Sequence, residues 1–214
     1  MARLTADPSE PIVWAGAQPL VLASKSASRR ALLAACGLEP DPLPVDVDER
    51  ALEERHFAAG GSLEALAEAL ARAKALAASA LRPDAYCLGA DQTLTVGTRL
   101  LHKARDWAEA AQSLAALAGR AHRLTSAFCV ARAGTPLVVD SDAAQLTMRT
   151  LDEGEIRRYL DCAGPRVLAS VGVYQLEGLG VHLFDRVQGD HFTILGLPLL
   201  KVLAWLRSEG LLSL

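Results

Sequence analysis

Tyr86-Cys87-Leu88-Gly89-Ala90-Asp91-Gln92-Thr93-Leu94 is the stretch on which the fold turns. An apolar run reaches a Gly-Ala pair and then an acid, and Thr93-Leu94-Thr95-Val96 carries on to Gly97. The pattern reads as a strand that delivers Asp91 to a tight break at an edge or end of a sheet. A carboxylate at such a point can hold a metal or activate a water. The alternative is an Asx-turn, in which the side chain only caps its own backbone.

Upstream of that strand, Leu63 to Ala80 carries leucines and alanines at helical spacing, with Lys74 along the same helix. Before it, Asp46-Val47-Asp48-Glu49-Arg50 ends an extended piece broken by Pro40, Pro42 and Pro44. Its three acids read as a solvated loop or as the source of a metal ligand. Further back, the apolar strand Pro19 to Ala23 runs into Ser24-Lys25-Ser26-Ala27-Ser28-Arg29-Arg30, and a helix follows from Ala31 to Cys36, closed by Gly37. Three hydroxyls and three cations at the opening of a helix can hold a polyphosphate: the helix N-terminus attracts anions and Arg binds two oxygens at once. The plainer reading is an N-capped helix with solvated cations.

Downstream, a hairpin turning at Gly97-Thr98 brings Arg99-Leu100-Leu101 back and sets Lys103 beside the end of the Asp91 strand. A helix from Trp107 to Ala118 follows. Strands His122 to Ala131 and Leu137 to Leu146 then pair around Gly134-Thr135-Pro136. Asp152, Glu153 and Glu155 open a helix from Ile156 to Cys162, where acids suit the dipole. The Gly-rich stretch Ser170 to Gly180 suggests close backbone approach or a tight bend. A strand from Val181 to Val187 and a helix from Leu199 to Glu209, entered through Pro198, complete the chain. The alternation predicts an α/β protein with a long mixed, twisted β-sheet flanked by helices.

Composition narrows the partners. Of 214 residues, 51% are hydrophobic, enough for a sizeable core, and the net charge of −3 gives no basis for gripping a nucleic acid polymer. Cys36, Cys87, Cys129 and Cys162 form no CxxC pair and read as buried free thiols of a reducing cytosol. No segment has the length and purity of a transmembrane helix. Residues 1–18 lack a signal peptide's basic start and apolar core and are expected to be a poorly ordered extension. Residues 19–214 are expected to form one domain, in one lobe or in two with the cleft between. There is no GxGxxG after a strand and no GxxxxGK[ST], which argues against the common mononucleotide and dinucleotide folds.

Taken together, several blocks resemble one family. Leu22 to Arg30 with Leu32-Leu33 and Gly37 is similar to the opening motif of the Maf family, as is Val47-Asp48-Glu49. Gly89-Ala90-Asp91-Gln92 resembles its central motif, Leu101-His102-Lys103 the next block, and Ala118-Gly119-Arg120-Ala121-His122 its Ser-Gly-x-x-His block. Tyr174 to Gly180 and Gly196-Leu197-Pro198-Leu199 resemble the last two, in matching order from Leu20 to Leu212. The resemblance implies a fold related to inosine triphosphate pyrophosphatases and hydrolysis of a nucleoside triphosphate to monophosphate and diphosphate. It also implies a divalent cation (Mg2+ or Mn2+), a cytoplasmic homodimer, and roles in clearing non-standard nucleotides and restraining septation. A nucleotide-binding regulator of division with little turnover is the rival within the family.

The resemblance also implies site residues. Asp91 would be the general base on water or a metal ligand beside it, and Glu49 would share the metal. Ser24, Ser26, Arg29, Lys74 and Lys103 would hold the triphosphate, the lysines also stabilising charge in the reaction. Three departures stand out: Ala27-Ser28-Arg29-Arg30 replaces the frequent Pro-Arg-Arg, Ala104 replaces a proline after Lys103, and Gln92 and Glu177 replace the Thr and Gln of members that favour dTTP and UTP. The position of Ser28 is linked to base choice. Gln92 and Glu177 resemble the branch that prefers 7-methyl-GTP, and a carboxylate suits the donor edge of guanine. That branch carries Trp where this chain has Ser28.

Overall fold

The computed structural model describes residues 13–214, and a single seven-stranded sheet organises them. Its strands are β1 (Leu20–Ala23), β2 (Asp41–Pro42), β3 (Tyr86–Val96), β4 (Arg99–Leu101), β5 (Ala121–Arg132), β6 (Thr135–Met148) and β7 (Phe184–Gln188). They lie in the order β2-β1-β3-β5-β6-β7, with β4 attached to β3. β2, β1 and β3 are parallel, and every other pairing is antiparallel. The parallel half needs helical crossovers. α1 (Ala27–Ala35) links β1 to β2, and α2 (Glu49–Ala58) with α3 (Leu66–Leu81) links β2 to β3. In the antiparallel half, α4 (Trp107–Leu117) precedes β5, and α5 (Glu153–Ala163) follows β6. Three short 3₁₀ turns, Pro165–Ala169, Val171–Val173 and Leu179–Leu183, lead from α5 to β7. The short α6 (His191–Ile194) and α7 (Leu199–Ser208) end the fold. The expected mixed sheet flanked by helices is present.

Alternation along β3 divides the packing. On one face α3 lies directly on the sheet, with Ala67, Ala71 and Ala75 against Ala127, Cys129 and Ala131 of β5. Gly89 explains how it lies so close: a Cβ there would sit 2.3 Å from the carbonyl oxygen of Ala71 and 2.4 Å from the nitrogen of Ala75. On the other face the sheet carries two separate apolar cores. Leu88, Ala90, Phe128 and Val130 meet Leu197, Val202 and Leu206 near α7. Leu94, Val96, Leu124 and Leu146 meet Leu114, Leu117, Ile156 and Leu160 of α4 and α5. Each fully buried leucine stabilises the fold by roughly 1.5–3 kcal/mol, so the long strands shared by both cores tie them together.

The structure corrects several readings. Asp91 does not end a strand. β3 continues without interruption from Tyr86 to Val96, and Gly89 before Asp91 serves close contact with α3 rather than a break. The acids at 46–50 are not a loop throughout: Asp48 caps α2 by accepting from the Ala51 N–H at 2.9 Å. No residue of α2 is buried, so it lacks the apolar stripe by which a helix is read from sequence. α1 starts at Ala27 rather than Ala31, its N-cap Ser26 accepting from the Arg29 N–H. α6 has four residues, capped by Asp190, in a stretch to which the sequence reading assigned no element. Cys87 and Cys129 are buried thiols, whereas Cys36 is half-buried and Cys162 exposed. Of the extension expected over 1–18, residues 1–12 lie outside the described residues. Trp14 pairs with Leu212, and its indole N–H donates to the Gln18 carbonyl at 2.9 Å.

Candidate active site

The break lies in the neighbours of β3 rather than in β3 itself. β1 pairs with β3 only as far as Ala23 opposite Gly89, and β4 pairs with β3 only from Leu94, opposite Leu101, onward. Between these points Ala90, Asp91, Gln92 and Thr93 are paired on one side alone, with β5. A notch in the sheet results. Ser24 follows directly on the end of β1 at one rim, and Lys103 follows two residues after β4 at the other. The notch sits at the carboxyl end of β1, which has a parallel strand on either side, the place where open α/β sheets bind ligands.

Asp91 and Gln92 leave β3 on opposite faces. On the α3 face, Lys74 Nζ lies 2.5 Å from Asp91 Oδ1 and 2.6 Å from Glu49 Oε1. Lys74 and Asp91 are largely buried and Glu49 is half-exposed. The first turn of α2 therefore brings a second carboxylate over a buried ammonium on α3. Two carboxylates converge on one positive charge, and Asp91 Oδ2 has no partner among the described residues. Thr93, two residues further on the same face, is 6% exposed and its hydroxyl has no hydrogen-bond partner among the described residues.

At the near rim, Ser24 Oγ accepts from the Ser26 N–H at 3.2 Å and from Arg29 Nη1 at 3.1 Å. Arg29 is buried. Its Nη1 also donates to the Ala90 carbonyl at 2.9 Å, inside the notch, and its Nε donates to the Gly196 carbonyl at 2.7 Å. Burial pushes its pKa down, and the negative charges of Asp91 and Glu49 pull against that shift. Arg29 is thus both a clamp on β3 and a positive charge facing the carboxylates. Ser28 lies half-buried in the first turn of α1, close to the helix N-terminus, which attracts anions.

On the other face, Gln92 Nε2 donates toward Ser126 Oγ at 3.0 Å and toward the carbonyls of Thr193 and Ile194 at 3.1 and 3.0 Å. Ser126 Oγ donates to the same Thr193 carbonyl at 2.7 Å. The amide nitrogen is spent on holding α6, and Oε1 keeps no partner among the described residues. Lys103 and Glu177 are exposed, and no ion pair or hydrogen bond joins either to this cluster among the described residues. The structure thus brings together Ser24, Ser26 and Arg29, and separately Glu49, Lys74 and Asp91. It holds Gln92 between two strands and α6, and leaves Lys103 at the far rim.

Two supports escaped sequence reading. Ser126 and Asp190 hold α6 under Gln92, and nothing in their spacing marks them. His122 is 2% exposed, and its Nε2 is 2.8 Å from the Tyr174 hydroxyl. Burial pushes the His122 pKa down to about 4, against a weaker upward pull from the backbone of Arg120. Its place in the Ser-Gly-x-x-His-like block was the available signal. Val173, next to Tyr174, has φ +61°, a region that costs a β-branched residue roughly 1–3 kcal/mol.

The family model described as Maf-like protein matches residues 19–209. A protein of Rhodopseudomonas palustris named nucleoside triphosphate pyrophosphatase is 51% identical over 202 residues, covering 94% of this chain and 98% of its own. One of Bradyrhizobium diazoefficiens with the same name is 49% identical, covering 94% and 98%. A 7-methyl-GTP pyrophosphatase of Mesorhizobium japonicum is 48% identical over 193 residues, covering 90% and 97%. No helix among the described residues is long and apolar enough to cross a membrane.

Proposed function

The chain belongs to the Maf-like protein family and is a hydrolase of the nucleoside triphosphate pyrophosphatase type, and on that premise we propose that the notch in β3 is its active site and Asp91 its general base. The convergence of Glu49 and Asp91 on Lys74 at an open strand edge carries this reading. A water attacks the α-phosphorus and gives its proton to Asp91 Oδ2, the oxygen that Lys74 does not occupy. The bond from the α-phosphorus to the bridging oxygen breaks, and diphosphate leaves with the monophosphate as second product. Negative charge builds on the phosphate oxygens, and Lys74, Lys103 and Arg29 stabilise it. Ser24, Ser26, Ser28 and the start of α1 bind the phosphate chain.

Glu49 and Asp91 are the residues that would hold a divalent cation, Mg2+ or Mn2+. Two carboxylates with the remaining sites left to water and substrate phosphates suit Mg2+, which seldom takes an all-protein cage. Among the described residues no group of three acids, histidines or cysteines converges, which fits a donor set completed by substrate. Such an ion would neutralise charge on the triphosphate.

The base is guanine-like in this reading, with 7-methyl-GTP the first candidate. Gln92 has spent its donors on Ser126 and α6, so what it offers a ligand is an acceptor, and Glu177 is acceptor-only when ionised. Guanine N1–H and N2–H₂ are donors. A panel of triphosphates with Mg2+ or Mn2+, assayed for diphosphate, tests the reading. Release of orthophosphate alone would overturn it. Asp91→Asn is expected to lower turnover by at least about a hundredfold, the scale of a lost general base, while the protein stays folded by circular dichroism. Glu177→Gln is expected to weaken selection for 7-methyl-GTP over UTP.

A further inference from the structure

The turn that carries Glu177 is built on a buried polar pair outside the notch. We propose that His122 and Tyr174 are positioning residues for nucleotide binding: their hydrogen bond fixes the start of the turn from Gln175 to Gly180, and thereby the place of Glu177, without either residue touching substrate. The proposal rests on the role given above to Glu177.

His122 leaves β5 on the face of the α4–α5 core, and Tyr174 belongs to that core. Their hydrogen bond is sealed by Phe184, whose ring meets Tyr174 edge-on at 4.8 Å and His122 at 5.8 Å. An apolar pair would fill this place without the cost of burying two polar groups. What the polar pair adds is direction: one length and one angle for Tyr174. The backbone before Tyr174 is pinned as well. Gly172 and Val173 both have positive φ, and the Tyr159 hydroxyl donates to the Val173 carbonyl at 3.1 Å.

Beyond Tyr174 the chain has little freedom to absorb a shift. The Gln175 carbonyl accepts from the Gly178 N–H at 3.1 Å. Gly180 returns so close that a Cβ on it would lie 2.4 Å from that same carbonyl oxygen. Gln175, Glu177 and Gly180 therefore form one tight unit hinged at Tyr174, and a displaced Tyr174 carries Glu177 with it.

Tyr174→Phe removes the hydroxyl and keeps the ring on Phe184. The expected result is a KM raised about tenfold for the preferred triphosphate with kcat changed less than about two-fold, the pattern of lost uniform binding. Selectivity between bases should fall in parallel. In the Glu177→Gln background the same substitution should add little, because both changes act through one contact. His122→Gln, which can still hydrogen-bond the hydroxyl, should retain KM, and His122→Leu should not. Hydrogen exchange of the Gln175–Gly180 amides, faster in Tyr174→Phe than in the parent, tests the anchoring with no substrate present. Unchanged exchange, or a KM effect fully additive with Glu177→Gln, overturns the proposal. A parent protein that releases no diphosphate overturns the active-site reading instead, and the exchange experiment still decides the anchoring.

Discussion

At the scale of single residues, two buried groups set measurable behaviour. His122 is held neutral, its pKa pushed down by burial to about 4 in the folded chain against 6.5 in the unfolded one. Above pH 6.5 both states are neutral and stability is full. As pH falls from 6.5 toward 4, the unfolded chain takes up a proton that the folded one refuses, and stability drops by a total of about 3 kcal/mol. Urea midpoints measured across that window should decline in the parent and flatten in His122→Gln. Lys74 is the other group. Lys74→Met leaves the buried Asp91 carboxylate without its partner, at a cost of about 3 kcal/mol, and faces it with Glu49. Melting curves should show a lowered midpoint, and added Mg2+ should raise the variant's midpoint more than the parent's, since the ion replaces the missing positive charge.

Among elements, the contact between α3 and β3 is the most exacting. Gly89→Ala forces a methyl into helix backbone rather than into a movable side chain. The expected loss is about 1–3 kcal/mol, read as a lower denaturant midpoint with an unchanged slope, and Lys74 should be lifted from Asp91, so activity falls too. This contact also shows what the sequence made legible. The apolar runs of β1, β3 and β5 and the stripe of α3 announce themselves by period. Asp91, Glu49 and Lys74 could be picked out by residue type and block order. The pattern around Gly89 reads as leading to a break at Asp91, because a glycine reports only that a Cβ is excluded, and a break in a strand and a packed helix exclude it alike. α2 escaped because it buries no face, and α6 because a single capped turn carries no periodicity. The duties of Gln92 and Arg29 toward backbone carbonyls of α6, Gly196 and Ala90 were invisible for a further reason. Such bonds join positions as far apart as 101, 102 and 167 residues, and no local pattern encodes them.

Over the whole molecule, the two ends of the described chain meet. The Ala15 N–H donates to the Leu211 carbonyl at 2.9 Å and the Ser213 N–H to the Val13 carbonyl at 3.0 Å, beside the edge-on rings of Trp14 and Tyr86. Removing residues 211–214 should expose Trp14, seen as a red-shifted emission, and lower the melting midpoint by a few degrees, with the notch itself intact. The notch has a mechanical meaning. Leu88 and Ala90 are gripped by one core, and Leu94 and Val96 by the other. Asp91 sits on the span between the two grips, as the fulcrum sits on a lever. If one core tilts against the other, atoms far from the fulcrum sweep the widest arcs, and the carboxylate moves least. Groups on either bank can then close on a ligand while Asp91, the proposed base, keeps its place.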